Sequence, residues 1–249
     1  MEIRSFGVGR RIRECERRLK MVLQGLSGRL ILLPIPTTRD NIYVNGTDLT
    51  LGSLLPLFSA DSTVVGYNIP PDLKEAALAV GARVFDAGED EAFLLENARI
   101  SARGALGYLL TNLTRDFAEM KLGLVGYGRI GRELLRLLLL FGAEVTVYTT
   151  RPSVALELGE AGVKSEVLDD NTDLSELDIL INTAPARLIE ESRLSERAEI
   201  IDLASGGIFE PSARLTKLAS IPDSYYPETA GRLYAEAIVR FICEGETEI

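Results

Sequence analysis

Histidine is absent from the 249-residue sequence, and this absence excludes several classes of enzyme. There can be no histidine general base, no Ser-His-Asp or Cys-His nucleophilic site and no histidine-ligated zinc. The two cysteines, Cys15 and Cys243, lie near opposite ends of the chain and have no CxxC spacing. A disulfide framework, a cysteine-rich metal site and an iron–sulfur cluster are therefore excluded, and a reducing cytoplasm is expected.

Long apolar runs are also missing. The most apolar stretch, Leu134–Phe141, is short and includes Arg136, whereas a membrane-spanning helix needs about 20 apolar residues. The opening sequence has no signal-peptide pattern. Acidic residues outnumber basic ones by 37 to 27, for a net charge of −10, which disfavours nucleic-acid binding. We expect a cytoplasmic protein without a metal, a membrane anchor or a nucleic-acid partner.

The first 28 residues are locally basic, although the chain as a whole is acidic. The stretch 10–24 predicts one helix with Ile12, Leu19 and either Val22 or Leu23 as its apolar positions. A solvated helix packed on an acidic body is the simpler interpretation. A patch for a partner or for an anionic ligand is the alternative, and the sequence assigns this helix no role.

Strand-like and helix-like segments alternate along most of the chain, which predicts an α/β protein with parallel sheets covered by helices. Residues 1–96 are expected to form the smaller, flavodoxin-like lobe, which binds substrate or a partner. This lobe begins with a helix instead of a strand and is therefore abbreviated at its start. Residues 121–226 are expected to form a Rossmann-type, doubly wound parallel sheet that binds NAD(P).

The helices between and after these lobes complete the expected organisation. One helix is expected to end at 93–96, and Ser101 is expected to cap the next, which belongs to a linking segment at 97–120. The closing helix at 227–249 is expected to pack back towards the first lobe.

A glycine-rich run, GYGRIG at 126–131, follows a predicted strand and opens a predicted helix. This is the context that a dinucleotide-binding GxGxxG motif requires. Gly126 permits the tight turn, Gly128 lets the backbone approach the pyrophosphate, and Gly131 lets the helix pack on the strand. The start of the helix then offers free N–H groups to the phosphates. A glycine-rich turn without a ligand is the alternative. The other cofactor-binding residues predicted in this loop are Arg129 and Ile130.

The residues after the next strand favour NADP over NAD. Sites for NAD usually place Asp or Glu here to bond the ribose 2′-hydroxyl. This chain has Thr149, Thr150 and Arg151 instead. Two hydroxyls and a guanidinium would bind a 2′-phosphate, which a carboxylate would repel. The alternative is that Arg151 is a solvent-facing loop residue.

Two further strand ends are expected to line the cofactor site, because ligands of doubly wound sheets bind beyond the carboxyl ends of the strands. Their small side chains would leave room for the nicotinamide and its ribose, although ordinary turn chemistry explains them as well. These residues are Thr183, Ala184, Pro185, Ala204 and Ser205.

The element order and the GYGRIG motif resemble the cofactor domain of the D-2-hydroxyacid dehydrogenases. That family has a catalytic Arg in an N-x-A-R-G motif and a catalytic His in a P-H-x-A-G motif. The first position falls on Ser205 and the second on Glu228. Both catalytic side chains are therefore missing, which argues against a hydroxyacid dehydrogenase of the usual mechanism.

A closer resemblance is to the A subunits of dipicolinate synthase. It covers most of the chain, from about residue 29 to 240. Where that family often has Arg and Pro after its LAS segment, this chain has Gly206 and Gly207. The stretches that carry the resemblance are ILLPIPTT at 31–38, NARIS at 97–101, INTAPARLI at 181–189, IIDLASGG at 200–207 and PETAG at 227–231.

This resemblance implies an NADP-linked oxidoreductase component of sporulation. It would oxidise a dihydro- or tetrahydrodipicolinate to pyridine-2,6-dicarboxylate, together with a flavoprotein-like B subunit, and would form a homo-oligomer. Two alternatives stay open. One is an NADP-dependent reductase of another small keto or imino acid, and the other is a non-catalytic dinucleotide-binding sensor or scaffold.

A dicarboxylate substrate requires cationic or N–H donors in the cleft expected between the lobes. The simpler interpretation of each arginine proposed for this role is a surface residue. The substrate-binding candidates are Thr38, Arg39, Arg99, Arg103 and Arg187.

Removal of a proton from the substrate requires a base, and without histidine the choices are a carboxylate, Tyr or Lys. Glu228, at the start of the closing helix, is the first candidate, ahead of Tyr225 and Tyr226. The alternative is that Glu228 only stabilises the helix dipole. Ser101 is the second catalytic candidate, as a hydrogen-bond donor.

Overall fold

The computed structural model describes residues 1–186, 189–204 and 209–244. The chain divides into two compact units. The N-terminal unit consists of Met1–Asn97 and Pro222–Ile249, and the central unit is Ala98–Ile221. Each unit has one parallel sheet with helices, which confirms the predicted α/β class. Among the described residues, no helix is long and apolar enough to cross a membrane.

The sheet of the N-terminal unit has four parallel strands in chain order. A flavodoxin-type sheet has the strand order 2-1-3-4-5. Without either strand 1 or strand 2, the four strands left are in chain order, as they are here. The strands are β1 (Glu2–Ser5), β2 (Arg29–Leu32), β3 (Ser62–Gly66) and β4 (Arg83–Asp86). The helices are α1 (Arg10–Val22), α2 (Pro71–Ala79), the first part of α3 (Glu91–Asn112) and α7 (Pro227–Glu244).

The prediction that this unit begins with a helix was wrong, because β1 precedes α1 and pairs with β2 at the edge of the sheet. None of the four residues of β1 is buried. An edge strand without a buried face has no apolar alternation, so no sequence pattern marked it.

Helix α1 packs against α7 through one face. Ile12 and Leu19 are buried as predicted, and of the two residues predicted for the third apolar position Leu23 is buried and Val22 is exposed. A side chain at Gly231 of α7 would place its Cβ 2.5 Å from the carbonyl oxygen of Arg11. Glycine therefore allows the backbones of the two helices to come into direct contact.

The two cysteines differ in accessibility. Cys15 is fully buried and Cys243 is exposed, and burial raises the pKa of the Cys15 thiol. Because the thiolate is the reactive form, we expect a thiol reagent such as dithionitrobenzoate to modify one cysteine in the native protein and two after unfolding. Cys243→Ser should remove the fast reaction. Two equally fast thiols in the native protein would contradict the packing of α1.

The central unit has six parallel strands in the order β10-β9-β8-β5-β6-β7. This is the doubly wound 3-2-1-4-5-6 order, whose switch point lies between β5 and β8. The strands are β5 (Lys121–Val125), β6 (Glu144–Thr149), β7 (Ser165–Val167), β8 (Ile179–Asn182), β9 (Glu199–Asp202) and β10 (Leu215–Lys217). The remaining helices are α4 (Arg129–Leu140), α5 (Pro152–Glu160) and α6 (Ile221–Tyr225), the last of which crosses the boundary between the units.

Residues 88–119 do not form the two helices that were expected, because α3 continues without a break from Glu91 to Asn112. Buried Ala98, Ala102, Ala105 and Leu109 give it a continuous apolar face. Ser101 therefore lies in the helix interior and is buried, and the prediction that it caps a helix was wrong.

Candidate dinucleotide-binding site

The glycine loop connects β5 to α4 at the switch point of the central sheet. Gly126 has a positive φ of 90°, and a Cβ there would lie 2.9 Å from Thr183 Oγ1. A Cβ on Gly131 would lie only 2.4 Å from the carbonyl oxygen of Gly126. The fold itself therefore requires glycine at both positions, one for the turn and one for the close approach of helix and strand.

Gly128 is different, because the fold does not require glycine there. Its φ is −88°, and no atom of its surroundings would lie within 4 Å of an added Cβ. It is the exposed N-cap residue of α4 and provides no capping side chain. The first turn of α4 also has no acidic residue, so the partial positive charge of this helix end is not offset locally. Backbone accessible at a helix start is what the approach of a phosphate requires. Of the two helix residues that follow, Arg129 is exposed and Ile130 is half-buried.

Thr183 joins the end of β8 to the glycine loop. Its hydroxyl donates to the carbonyl oxygen of Val125 at 2.9 Å and approaches that of Gly126 at 3.3 Å. Thr183 was predicted to line the cofactor site as a small residue, and its hydroxyl holds the glycine loop in place. The next two residues differ in exposure, since Ala184 is buried and Pro185 is exposed.

A buried polar pair, which we did not predict from the sequence, joins the loops after β8 and β9. Asn182 and Asp202 are the last residues of these strands and lie opposite each other in the register. Asn182 Nδ2 donates to Asp202 Oδ1 at 2.8 Å, and the same oxygen accepts from the backbone N–H of Ala204 at 3.1 Å. Asn182 Oδ1 in turn accepts from the N–H of Ala184 at 3.2 Å. The pair therefore fixes the starts of two loops that were predicted to line the site.

Asp202 also has an unsatisfied oxygen. Its Oδ2 is buried and has no hydrogen-bond partner among the described residues. A buried acceptor without a donor is costly. An acceptor at the carboxyl edge of a doubly wound sheet is compatible with a ligand that brings hydrogen-bond donors, as a dinucleotide does.

Asn182→Ala should destabilise the central unit, because it leaves the buried Asp202 carboxylate with one donor fewer. We expect a loss of about 2–4 kcal/mol in the free energy of unfolding. Urea denaturation followed by circular dichroism measures it. Asn171→Ala, at an exposed turn position, is the control and should change stability by less than about 0.5 kcal/mol. Equal stability of the two variants would mean that the pair does not hold the loops.

The end of β6 has no carboxylate and carries Arg151 beside the glycine loop. Thr149 is buried, and its Oγ1 accepts from the N–H of Arg151 at 3.2 Å. The Arg151 guanidinium is exposed and donates through Nη2 to the carbonyl oxygen of Tyr127 at 3.3 Å. Thr150 is exposed, and Arg132 lies over the Tyr127 ring at 5.0 Å. The structure thus brings two cations, one of which we had not predicted, to this side of the loop.

The predicted substrate residues fall into two groups. In the N-terminal unit, Thr38 Oγ1 donates to Asp40 within a turn, and Arg39 Nε donates to Asn45 Oδ1 at 3.2 Å on the wall of an open pocket. In the central unit, Arg99 and Arg103 are exposed and lie four residues apart on α3, so they share a helix face.

The other candidates lie apart from these groups. Buried Ser101 does not share the exposed face of the α3 arginines. Glu228 is exposed in the first turn of α7, where a carboxylate stabilises the helix dipole. Tyr225 and Tyr226, the weaker base candidates, are partly exposed just before α7. Arg187 and Ser205 lie outside the described residues.

Comparisons with known proteins agree with this arrangement. Residues 97–220 match the family model of the D-isomer specific 2-hydroxyacid dehydrogenase NAD-binding domain. None of the curated proteins matches the chain in sequence. Among solved structures, dipicolinate synthase A chain from Bacillus subtilis has a TM-score of 0.77 at 19% identity, covering 100% of this chain and 98% of that one.

Two further structures extend the comparison. The corresponding dipicolinate synthase chain from Bacillus halodurans has a TM-score of 0.77 at 20% identity, over 96% of this chain and 97% of that one. D-lactate dehydrogenase from Escherichia coli has a TM-score of 0.63 at 14% identity, over 100% and 98%. The domain match indicates that the central unit is of the NAD-binding type, and the structural neighbours share the fold of the chain. The chain has the fold of the two dipicolinate synthase chains, and its residues 97–220 match the NAD-binding domain of the D-isomer specific 2-hydroxyacid dehydrogenases.

Proposed function

We propose that this chain is an NADP-linked oxidoreductase component of the dipicolinate-synthase type. Its reaction would be the oxidation of a dihydro- or tetrahydrodipicolinate to pyridine-2,6-dicarboxylate. The proposal assigns the dinucleotide to the central unit and the substrate to the N-terminal unit and to α3. It also includes a cytoplasmic location, partnership with a flavoprotein-like B subunit and a homo-oligomeric assembly.

The geometry of the glycine loop is the observation that carries the proposal. Gly126 and Gly131 are glycines because the fold leaves no space for a side chain, whereas Gly128 has open space around it. A glycine that the fold does not need, at an uncapped helix start, is explained by a ligand that approaches the backbone there. The cofactor-binding residues in this proposal are Gly126, Gly128, Arg129, Ile130, Gly131, Thr149, Thr150, Arg151, Thr183, Ala184, Pro185, Ala204 and Ser205.

The preference for NADP rests on the end of β6. A 2′-phosphate bound there would meet the exposed hydroxyl of Thr150 and the exposed guanidinium of Arg151. Thr149 contributes indirectly, because its hydroxyl holds the backbone of Arg151. A guanidinium pairs well with a phosphate dianion, and no carboxylate follows β6 to repel it.

A dihydrodipicolinate must lose one hydride and one proton to become pyridine-2,6-dicarboxylate, and a tetrahydrodipicolinate must lose two of each. NADP⁺ held at the glycine loop would supply the hydride acceptor, with one NADP⁺ reduced to NADPH for each hydride. The chain itself must then hold the two substrate carboxylates and receive the proton. Exposed Glu228 is the proposed proton acceptor, with water as the final carrier. Formation of an aromatic ring supplies much of the driving force. The main task of the chain is therefore to position the ring.

The test is an assay with NADP⁺ and freshly generated dihydrodipicolinate, with and without a B-type partner. NADPH is followed by absorbance and pyridine-2,6-dicarboxylate by chromatography, and both should appear in equal amounts. Gly128→Val is the negative control. Binding of NADP⁺ without turnover of this substrate would favour a reductase of another small keto or imino acid. The missing Arg and His at Ser205 and Glu228 favour instead a non-catalytic dinucleotide-binding sensor or scaffold, which binding of NADP⁺ without turnover of any small keto or imino acid would indicate.

A further inference from the structure

Arg11 of α1 is a buried cation whose hydrogen-bond donors are only partly used. Its side chain is 4% exposed. Nη2 donates to Asn97 Oδ1 at 3.0 Å, and Nη1 approaches Asp223 Oδ2 at 3.4 Å. Nε has no hydrogen-bond partner among the described residues. Burial lowers the pKa of Arg11, and a buried guanidinium normally uses its donors fully.

Asp223 is a loosely held partner for this guanidinium. Its contact with Arg11 is a single one, and 3.4 Å exceeds the roughly 2.7–2.9 Å of a good charge-assisted bond. The Asp223 side chain is 31% exposed, so the aspartate is the solvent-side member of the pair. Burial raises the pKa of Asp223 although Arg11 opposes this. The surroundings therefore do not favour the charged form of this side chain.

Two further positive groups act on the same carboxylate. The charge of Arg39 lowers the pKa of Asp223, in the same sense as that of Arg11. Helix α1 starts beside it, because a Cβ on the N-cap residue Gly9 would lie 3.8 Å from Asp223 Oδ1. That helix start has neither a capping side chain nor an acidic residue in its first turn. The Asp223 carboxylate thus contacts Arg11, lies beside a helix N-terminus and is within electrostatic reach of Arg39.

We propose that Asp223 occupies the place of a ligand carboxylate, and that Arg11 and Arg39 form a carboxylate-anchoring site in the N-terminal unit. The ligand is one carboxylate of a small acid substrate, an identity that rests on the proposed function. Its carboxylate replaces that of Asp223, which turns to solvent. The exchange keeps one anion next to the buried cation, so no uncompensated charge is left inside.

The guanidinium of Arg11 is fixed before any ligand binds. It is held by Asn97 and lies 5.6 Å from the centre of the Phe93 ring. The sequence has no arginine at the position of the dehydrogenase family's catalytic one, where Ser205 carries no positive charge to pair with a carboxylate. A guanidinium fixed before binding loses little side-chain freedom when it captures an anion.

The test is calorimetric titration of pyridine-2,6-dicarboxylate into the full-length protein and its variants. Asp223→Asn removes the competing charge and should tighten binding about 5- to 10-fold. Arg11→Met and Arg39→Met should each weaken it about 10-fold or more. Asp90→Asn is the matched control, because Asp90 is also a partly exposed aspartate paired with an arginine, Arg240, in the same unit. It should leave the affinity within about twofold.

The proposal is overturned if Asp223→Asn binds the dicarboxylate no tighter than Asp90→Asn. It is equally overturned if a folded Arg11→Met binds as the wild type does. Should Arg11→Met fail to fold, as judged by circular dichroism, Arg39→Met decides in the same way. The neutral pyridine-2,6-dicarboxamide should bind Asp223→Asn and Asp90→Asn with the same affinity. A difference in affinity would indicate that the substitution changed the shape of the pocket and would count against a carboxylate site. Parallel titrations with NADP⁺ test the proposed function separately.

Discussion

Replacing Gly128 by valine is expected to abolish dinucleotide binding while leaving the protein folded. The added side chain meets no protein atom within 4 Å of its Cβ, and the φ of −88° is one that valine adopts without strain. The branched side chain would instead occupy the space through which a pyrophosphate reaches the start of α4. We expect the affinity for NADP⁺ to fall by about 100-fold or more, measured by calorimetry, with unchanged circular dichroism.

The matched control is Gly131→Ala, in the same loop. Its Cβ would lie 2.4 Å from the carbonyl oxygen of Gly126, so this variant should lose stability first and binding only as a consequence. Gly128→Val therefore tests whether a ligand needs the space at the loop, and Gly131→Ala tests whether the fold needs it. Unchanged NADP⁺ affinity in a folded Gly128→Val protein would show that the glycine loop is not the binding site.

Replacing Arg151 by aspartate is expected to reverse the cofactor preference. The variant places a carboxylate at the start of α5, where it would repel a 2′-phosphate and accept a hydrogen bond from a 2′-hydroxyl. We expect the ratio of NADP⁺ to NAD⁺ affinity to fall by about 100-fold or more, most of it through weaker NADP⁺ binding. Parallel calorimetric titrations with both cofactors measure the ratio.

Arg197→Asp makes the same change of charge at another exposed arginine of the central unit. It should leave the ratio within about twofold, since screening weakens remote surface charges. If Arg151→Asp and Arg197→Asp give the same ratio, Arg151 does not recognise the 2′-phosphate and the preference for NADP is wrong.

The fold of the central unit could be predicted because its signals are local and agree with one another. Apolar strands, a glycine motif and an amphipathic helix follow in the order that a doubly wound sheet needs, and residues 121–149 formed the expected β5, α4 and β6. Edge strand β1 could not be predicted, because none of its residues is buried and its sequence therefore has no apolar alternation. The sequence did not predict that α3 is continuous, because Ser101 resembled a cap. The buried alanines on either side of Ser101 keep the apolar face of the helix unbroken.

The side-chain partners in the sites could be predicted only in part. The glycine loop and Arg151 follow from spacing, but Asn182 and Asp202 become a pair only through the register of β8 and β9. Arg11 was not predicted to be buried, because a charged side chain usually lies at the surface. Its spacing of four and eight residues from Cys15 and Leu19 placed it on the buried stripe of α1. Asp223, more than 200 residues away in sequence, had no local signal at all.

Calorimetric titration of NADP⁺, NADPH, NAD⁺ and NADH into the purified wild-type chain tests the central claim most directly. We expect one site per chain, with tighter binding of NADP(H) than of NAD(H). Preference for NAD(H) would keep the glycine-loop site and refute the assignment of Arg151. Absence of binding for all four dinucleotides would contradict the account, because the open space at Gly128 would then have no ligand.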